Sequence, residues 1–546
     1  MEVPIQGQLV KTIKQYFNPL PHLAPTPVNV VELEKELLHF PDKAFARDLI
    51  NSFKQGFAIG YDGPQFNLIS KNLKSYFANL QAATENIVAE LKEKRVAGPF
   101  AAPPLDNFRT SPIGIVPKKD SAKVRMITDL SSPKGSAIND YIPDDESTVQ
   151  FNNFDCAVNL VGRLGHGALL SKLDVKSAFR ICPVRPDDWN LLGFSCLGYF
   201  FVDLCLPFGL RSSVNRFTRM SDSLSWILQH NYGVQHCTHY LDDYLFAGEA
   251  NADTCRINTL QAVKVFQKLG IPLAPEKVVY PTTVLTFLGI EIDSKKMELR
   301  LPEEKFNALM ADLSFWSSRK KCTKRELLSL IGRLSFAAKI IPSGRTFLRR
   351  LIDASMSVQR LNHHIKLNTE AKADLDWWLS LLPLWNGKYK ILNPDIALAP
   401  DMQLFTDASG TLGLGIYFKG KWVSCSWPAH IQELSIQWKE LFPIYVACRL
   451  WAHIFTGKRM LFHCDNLAVV NIWSSRSSKC PKVMSLLRKL FFISAKFEFT
   501  VFVDHIPGTD NSIADSLSRQ QVARFRELAP QAEPESTSIP ADYWIL

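Results

Sequence analysis

No pair of cysteines in the 546 residues has CxxC spacing; the 11 thiols are scattered singly. That pattern argues against a zinc ribbon, a zinc knuckle or a disulfide framework. No apolar run approaches the ~18 residues that cross a bilayer. The opening stretch MEVPIQGQLVKTIKQ lacks the apolar core of a secretory signal. The expected setting is therefore a reducing compartment, cytoplasm or nucleus, with no membrane partner. Internal repeats and long low-complexity segments are also missing. What remains is ordinary globular material: 46% of residues are hydrophobic, enough to pack a core. The length suggests several structural units rather than one.

Charge is the first positive signal. The net charge is +10, and residues 301–360 alone carry twelve Lys/Arg against five Asp/Glu. A helical unit this basic suits a phosphate backbone; a merely solvated helix face is the plainer alternative. Residues 1–95 read as a mostly helical N-terminal extension with no recognisable chemistry. From 96 to 300, short apolar strands alternate with helical stretches, an α+β pattern. Phe306, Leu309, Met310, Leu313 and Trp316 recur at helical spacing, and Thr323 with Glu326 forms a capping-box signature. Residues 361–400 read as a linker, 401–520 as a second alternating domain, and 521–546, ending QAEPESTSIPADYWIL, as a flexible tail.

Two groups of acids stand out. In YLDDYL, Asp242 and Asp243 are adjacent within an apolar segment. Two buried neighbouring acids repel unless a cation or donor compensates. Side chains adjacent in a strand face opposite ways, so a tight hairpin is expected there. Asp174, in SKLDVKSAFR, follows a short strand. Metal-dependent nucleotidyl transfer needs carboxylates from separate strands to converge on two ions roughly 3.5–4 Å apart. Further on, Asp407 (FTDASG), Glu440 (QWKELF), Asp465 (FHCDN) and Asp515 (NSIADSLSR) each lie at or near an element boundary, with His505 ten residues before Asp515. Singly each is a turn or a cap; Asp465 could simply cap the helix after it.

YLDDYL resembles the Tyr-x-Asp-Asp motif of reverse transcriptases, and LDVKSAF resembles their first catalytic motif. LPFGLRSSVNRFTR, FLGIEID and VPKKDSAKVRMITDLS resemble their template and nucleotide contact, the strand beside the primer grip, and the fingers segment. The resemblance implies an α+β multidomain chain. A right-hand polymerase of fingers and palm (96–300) and thumb (301–360) would precede a ribonuclease H-like α/β domain (401–520). It also implies Asp174, Asp242 and Asp243 as metal ligands, and Lys118 and Arg125 on the triphosphate. Phe179 would bar a ribose 2′-hydroxyl, and Pro207, Phe208 and Gly209 would floor the nucleotide pocket. Without the family, a surface charge, a core aromatic and a turn are the simpler readings of these residues.

The ordered set Asp407, Glu440, Asp465, Asp515 resembles the acids of ribonuclease H, with His505 as its mobile histidine. Two Mg2+ or Mn2+ ions per active site are implied. The implied partners are an RNA template, a DNA primer, RNA–DNA hybrid and dNTPs. RMITDLSSPKGSAIND, LSFAAKIIPSGRTFLRRLID, DLDWWLSLLPLWNG and HIPGTDNSIADSLSR resemble DIRS-like retroelements. These are neighbours of the long-terminal-repeat polymerases and carry a separately encoded tyrosine recombinase. Two alternatives stay open: a catalytically silent genomic relic that binds nucleic acid, and an RNA-synthesising polymerase.

Overall fold

The structure is a computed structural model of the chain and describes residues 3–117, 124–149, 154–341, 344–386, 389–391, 402–497 and 499–545. It divides into two compact units. The first comprises 1–288 and 294–296, the second 289–293 and 297–546. No helix among the described residues is long and apolar enough to cross a membrane.

The first unit is built round a four-stranded antiparallel sheet. Its order is Cys237–Tyr240, Asp243–Gly248, Leu169–Asp174, Val279–Thr282. The two central strands are almost wholly buried, which explains the apolar run from Tyr244 to Ala247 in place of alternation. The helix Ser213–His230 turns Phe217, Met220, Leu224 and Ile227 into the core at helical spacing. Thr254–Lys268 does the same with Ala262, Val265 and Phe266. A second sheet, Val96–Phe100, Tyr199–Asp203 and Gly193–Cys196, shares a smaller core with the helices Val3–Lys14 and Leu80–Lys92.

The N-terminal residues are less helical than their sequence suggests. Residues 56–70 run extended through the unit: Phe57 bridges Val184, Leu68 bridges Arg109, and Ser212 Oγ donates to the Ile59 carbonyl at 2.7 Å. The segment supplies backbone partners to groups that would otherwise be buried without any.

In the second unit, the helix Glu303–Ser318 buries Leu309, Leu313 and Trp316. Lys324–Ala337 begins at the expected capping box: the Glu326 amide donates to Thr323 Oγ1 at 3.3 Å, and the Thr323 amide donates to Glu326 Oε2 at 2.7 Å. The expected linker at 361–400 contains a 17-residue helix, Thr369–Trp385. Ala371, Leu375, Trp378 and Leu382 form a buried stripe along it, so hydrophobic burial outweighs its break-like flanks.

A five-stranded sheet follows, ordered Lys421–Ser426, Gly413–Phe418, Met402–Ala408, Arg459–Cys464, Thr500–His505. The first three strands are antiparallel, and the last two run parallel to Met402–Ala408.

The tail expected to be flexible at 521–546 is docked instead over its described residues, 521–545. The helix Val522–Leu528 buries Phe525 against Trp422. Trp544 stacks on Phe442 at 4.9 Å, and Arg449 lies 3.9 Å from the Tyr543 ring and 2.5 Å from Asp542. Its polar stretch conceals a few aromatic anchors that find partners far back in the chain.

Candidate active sites

The strands Cys237–Tyr240 and Asp243–Gly248 are joined by two residues, Leu241 and Asp242, with Tyr240 opposite Asp243. This is the expected tight hairpin. Leu241 takes a positive φ of 54°, the conformation that two-residue hairpin loops demand and a leucine rarely adopts. The Ser221 hydroxyl holds the turn by donating to the Leu241 carbonyl at 2.8 Å, and the Val175 amide donates to the Asp242 carbonyl at 2.9 Å. Asp174 faces Asp243 in register on the neighbouring strand.

Three carboxyls 68 or 69 residues apart along the chain are thus one electrostatic group. Burial, then Asp243 and Asp174, push the Asp242 carboxyl up to about 6. The Asp174 carboxyl is also raised, chiefly by burial; Lys277 opposes the rise by donating to both its oxygens at 2.8 and 2.9 Å. Lys172 Nζ stands 3.2 Å from the buried Asp243 Oδ1. Three clustered carboxyls facing two lysines keep an excess of negative charge, which suits a divalent cation.

The second unit gathers its acids from four elements. Asp407 lies near the end of the central strand, opposite Gly415. Asp465 follows the adjacent strand, Glu440 projects from the helix Ile436–Leu450, and Asp515 sits on Ser512–Ser518. The cap of the helix after Asp465 is Asn466, whose Oδ1 accepts from the Ala468 and Val469 amides. Asp465 is therefore spared that duty. Gly415 has no room for a side chain: a Cβ there would lie 2.3 Å from the Ala514 carbonyl, so glycine lets the Asp515 helix approach.

Burial, then Asp407 and Asp465, push the Glu440 carboxyl up to about 9, and burial raises Asp407 to about 6. Glu440 is 6% exposed, and its Oε2 has no partner among the described residues. Asp515 is engaged by Arg519 at 2.6 Å. His505 ends the edge strand opposite Cys464 and is exposed. These residues also fit a divalent cation, which would relieve charges that the protein leaves unmatched.

Residues 116–292 match the family model described as reverse transcriptase (RNA-dependent DNA polymerase). Residues 116–292 form a reverse transcriptase domain. It is related to the polyproteins of long-terminal-repeat retrotransposons and retroviruses. The retrovirus-related Pol polyprotein from transposon 297 of Drosophila melanogaster is 23% identical over 428 residues, 76% of this chain and 36% of that protein. The Tf2-3 transposon polyprotein of Schizosaccharomyces pombe is 21% identical over 75% of this chain and 29% of its own length. Polyprotein P3 of Commelina yellow mottle virus is 22% identical over 66% and 18%. The chain thus spans well under half of these relatives. A foamy viral protease–reverse transcriptase, solved with double-stranded DNA, superposes with a TM-score of 0.50 at 18% identity. The match covers 90% of this chain and 84% of that one and shows a polymerase fold of mixed α/β content.

Inside the reverse transcriptase domain, the ring of Phe179 lies 5.2 Å from Phe208 and 5.7 Å from Phe217. Arg125 stands 5.9 Å from the Phe208 ring. Phe208 is exposed, Pro207 is buried, and Gly209 takes φ 94° with its carbonyl accepting from Asn139 Nδ2. Arg125, Phe179, Phe208 and Gly209 therefore share one face. Lys118 lies outside the described residues. Lys277 and Lys172 escaped sequence reasoning. Lys277 lies 103 residues from Asp174, and its only local signal is a Pro-Glu-Lys turn. Cys464, between the strand and Asp465, was also passed over, since one buried cysteine looks like any core residue.

Proposed function

We propose that the chain is an RNA-directed DNA polymerase with an attached ribonuclease H. The observation that carries this reading is that each unit gathers its own group of mutually interacting carboxyls from separate elements. Asp174, Asp242 and Asp243 would hold Mg2+ or Mn2+ for synthesis; Asp407, Glu440, Asp465 and Asp515 would hold it for cleavage. When bound, two ions per site supply Lewis acidity and neutralise charge on the phosphate oxygens.

The chain's own residues do the rest. Asp174 and the Leu241–Asp242 turn fix the acids on rigid strands, which keeps the reacting groups aligned. Lys277 supplies positive charge while the acids are empty of metal. Lys118 and Arg125 hold the triphosphate of a dNTP, over a floor of Pro207, Phe208 and Gly209. Phe179, packed between Phe208 and Phe217, excludes a 2′-hydroxyl. His505, exposed beside the second group, assists product departure. The basic helices of 301–360 grip the backbone of the template–primer duplex by charge and shape. The DIRS-like strings support an origin in such an element, with a tyrosine recombinase as a separate partner and work in the cytoplasm or nucleus.

The test is primer extension on poly(rA)–oligo(dT) with Mg2+ or Mn2+, beside cleavage of a labelled RNA–DNA hybrid. Asp242→Asn should abolish extension and spare cleavage; Asp465→Asn should do the reverse. Tight hybrid binding with no extension by the wild type would instead identify a silent relic.

A further inference from the structure

The strand Arg459–Cys464 alternates, so that Met460, Phe462 and Cys464 are all buried on one face. At its end the Cys464 sulfur, a Glu440 carboxylate oxygen and an Asp465 carboxylate oxygen all lie within 4.8 Å of one another. The sulfur accepts from the Asn466 amide at 3.4 Å. Glu440 Oε2 is buried with no partner among the described residues, while Asp465 is partly open to solvent and gives the group an approach.

The three donors differ in kind. Mg2+ takes oxygen ligands in near-ideal octahedral geometry and gains nothing from sulfur. A thiolate is soft and selects Zn2+ and its congeners, which take mixed sulfur and oxygen ligands in a four-coordinate site. The proposed hydrolysis needs the acids alone, so the thiol is surplus to it. We propose that Cys464, Glu440 and Asp465 form a binding site for a thiophilic divalent cation such as Zn2+ or Cd2+. In binding, the S–H bond breaks, a sulfur–metal bond forms, and the proton leaves to solvent with no change of oxidation state. Such an ion occupies the place where Mg2+ would serve the nuclease, so trace zinc inhibits hybrid cleavage competitively with Mg2+. The site uses two acids of the proposed nuclease, and it holds whether or not RNA is cleaved there.

The full chain, stripped of metal, is titrated with Cd2+ while the ultraviolet thiolate-to-cadmium absorption is followed. The wild type should show a first phase of one ion before its other thiols respond. Cys464→Ser should lose that phase, whereas Cys425→Ser, on the far strand of the sheet, should keep it. Glu440→Gln retains every thiol and should weaken the phase by about tenfold or more, so a misfolded Cys464→Ser does not leave the question open. A first phase unchanged in either Cys464→Ser or Glu440→Gln overturns the proposal. Absence of hybrid cleavage by wild type in Mg2+, with the phase intact, defeats the nuclease reading alone. Cleavage without a Cys464-dependent phase defeats this one alone.

Discussion

Glu440 and Phe179 are the residues on which most of the proposed chemistry turns, for opposite reasons. Glu440 is an acid in surroundings that reject its charge, with its carboxyl pushed up to about 9 from an ordinary 4.5. Between those values the metal-free folded state binds a proton that the unfolded chain gives up, so stability falls as pH rises through the window. Melts of the metal-free chain from roughly pH 7 to 8, above the range in which Asp242 and Asp407 titrate, should show wild type losing up to about 1.4 kcal/mol per unit. Glu440→Gln should flatten most of that slope, and saturating Mg2+ should flatten it for wild type. An equal slope in both proteins would mean that Glu440 is not the proton carrier. In the proposed polymerase Phe179 would act by bulk. Phe179→Val should raise incorporation of ribonucleotides relative to deoxyribonucleotides, measured as the ratio of kcat/KM values. A wild type that already prefers ribonucleotides would make the chain an RNA-synthesising enzyme. The acids were legible in the sequence because charge inside an apolar segment is costly and needs a reason. Lys277 and Cys464 were not: Lys277 meets an acid 103 residues away, and Cys464 gains its meaning only when Glu440 from another element comes beside it.

Elements were legible where their signals are local. The helix Lys324–Ala337 begins at the capping box that Thr323 and Glu326 announce, and a two-residue hairpin followed from the Asp242–Asp243 pair. The helix Thr369–Trp385 went unread inside the expected connection or linker because Pro383 and the Asn-Gly after it look like breaks, although Pro383 falls only in the last turn. The tail was misjudged for a different reason. Its Glu, Ser and Pro content matches that of disordered chain, while its order comes from Trp544 on Phe442 and Tyr543 under Arg449. Trp544→Ala removes a half-buried aromatic stack and should lower stability by about 2 kcal/mol. Limited proteolysis should then cut after the helix Val522–Leu528 sooner than in wild type. A tail equally protected in the variant would show that the stack does not hold it.

For the molecule as a whole, the relevant quantity is charge arranged on a surface. Residues 301–360 carry a net charge of +7 out of the chain's +10, and Lys320, Lys321 and Arg325 are exposed with no ion pair among the described residues. Sequence composition disclosed the charge; only the fold tells which cations are spent on neighbours, as Arg319 is on Glu326 and Arg333 on Asp312. A polymerase must hold a duplex whose sequence changes at every step, so its grip has to come from phosphate neutralisation and counterion release rather than base readout. Binding of an RNA–DNA hybrid should therefore weaken steeply with salt and hardly vary with template sequence. Replacing Lys320, Lys321 and Arg325 together by alanine should reduce the slope of log K against log salt by about one for each phosphate left without its cation. The weakening should be equal on poly(rA)–oligo(dT) and on a mixed-sequence hybrid. A triple variant with the wild-type slope would place the nucleic acid elsewhere on the second unit, and a weakening confined to one sequence would mean that these side chains read bases.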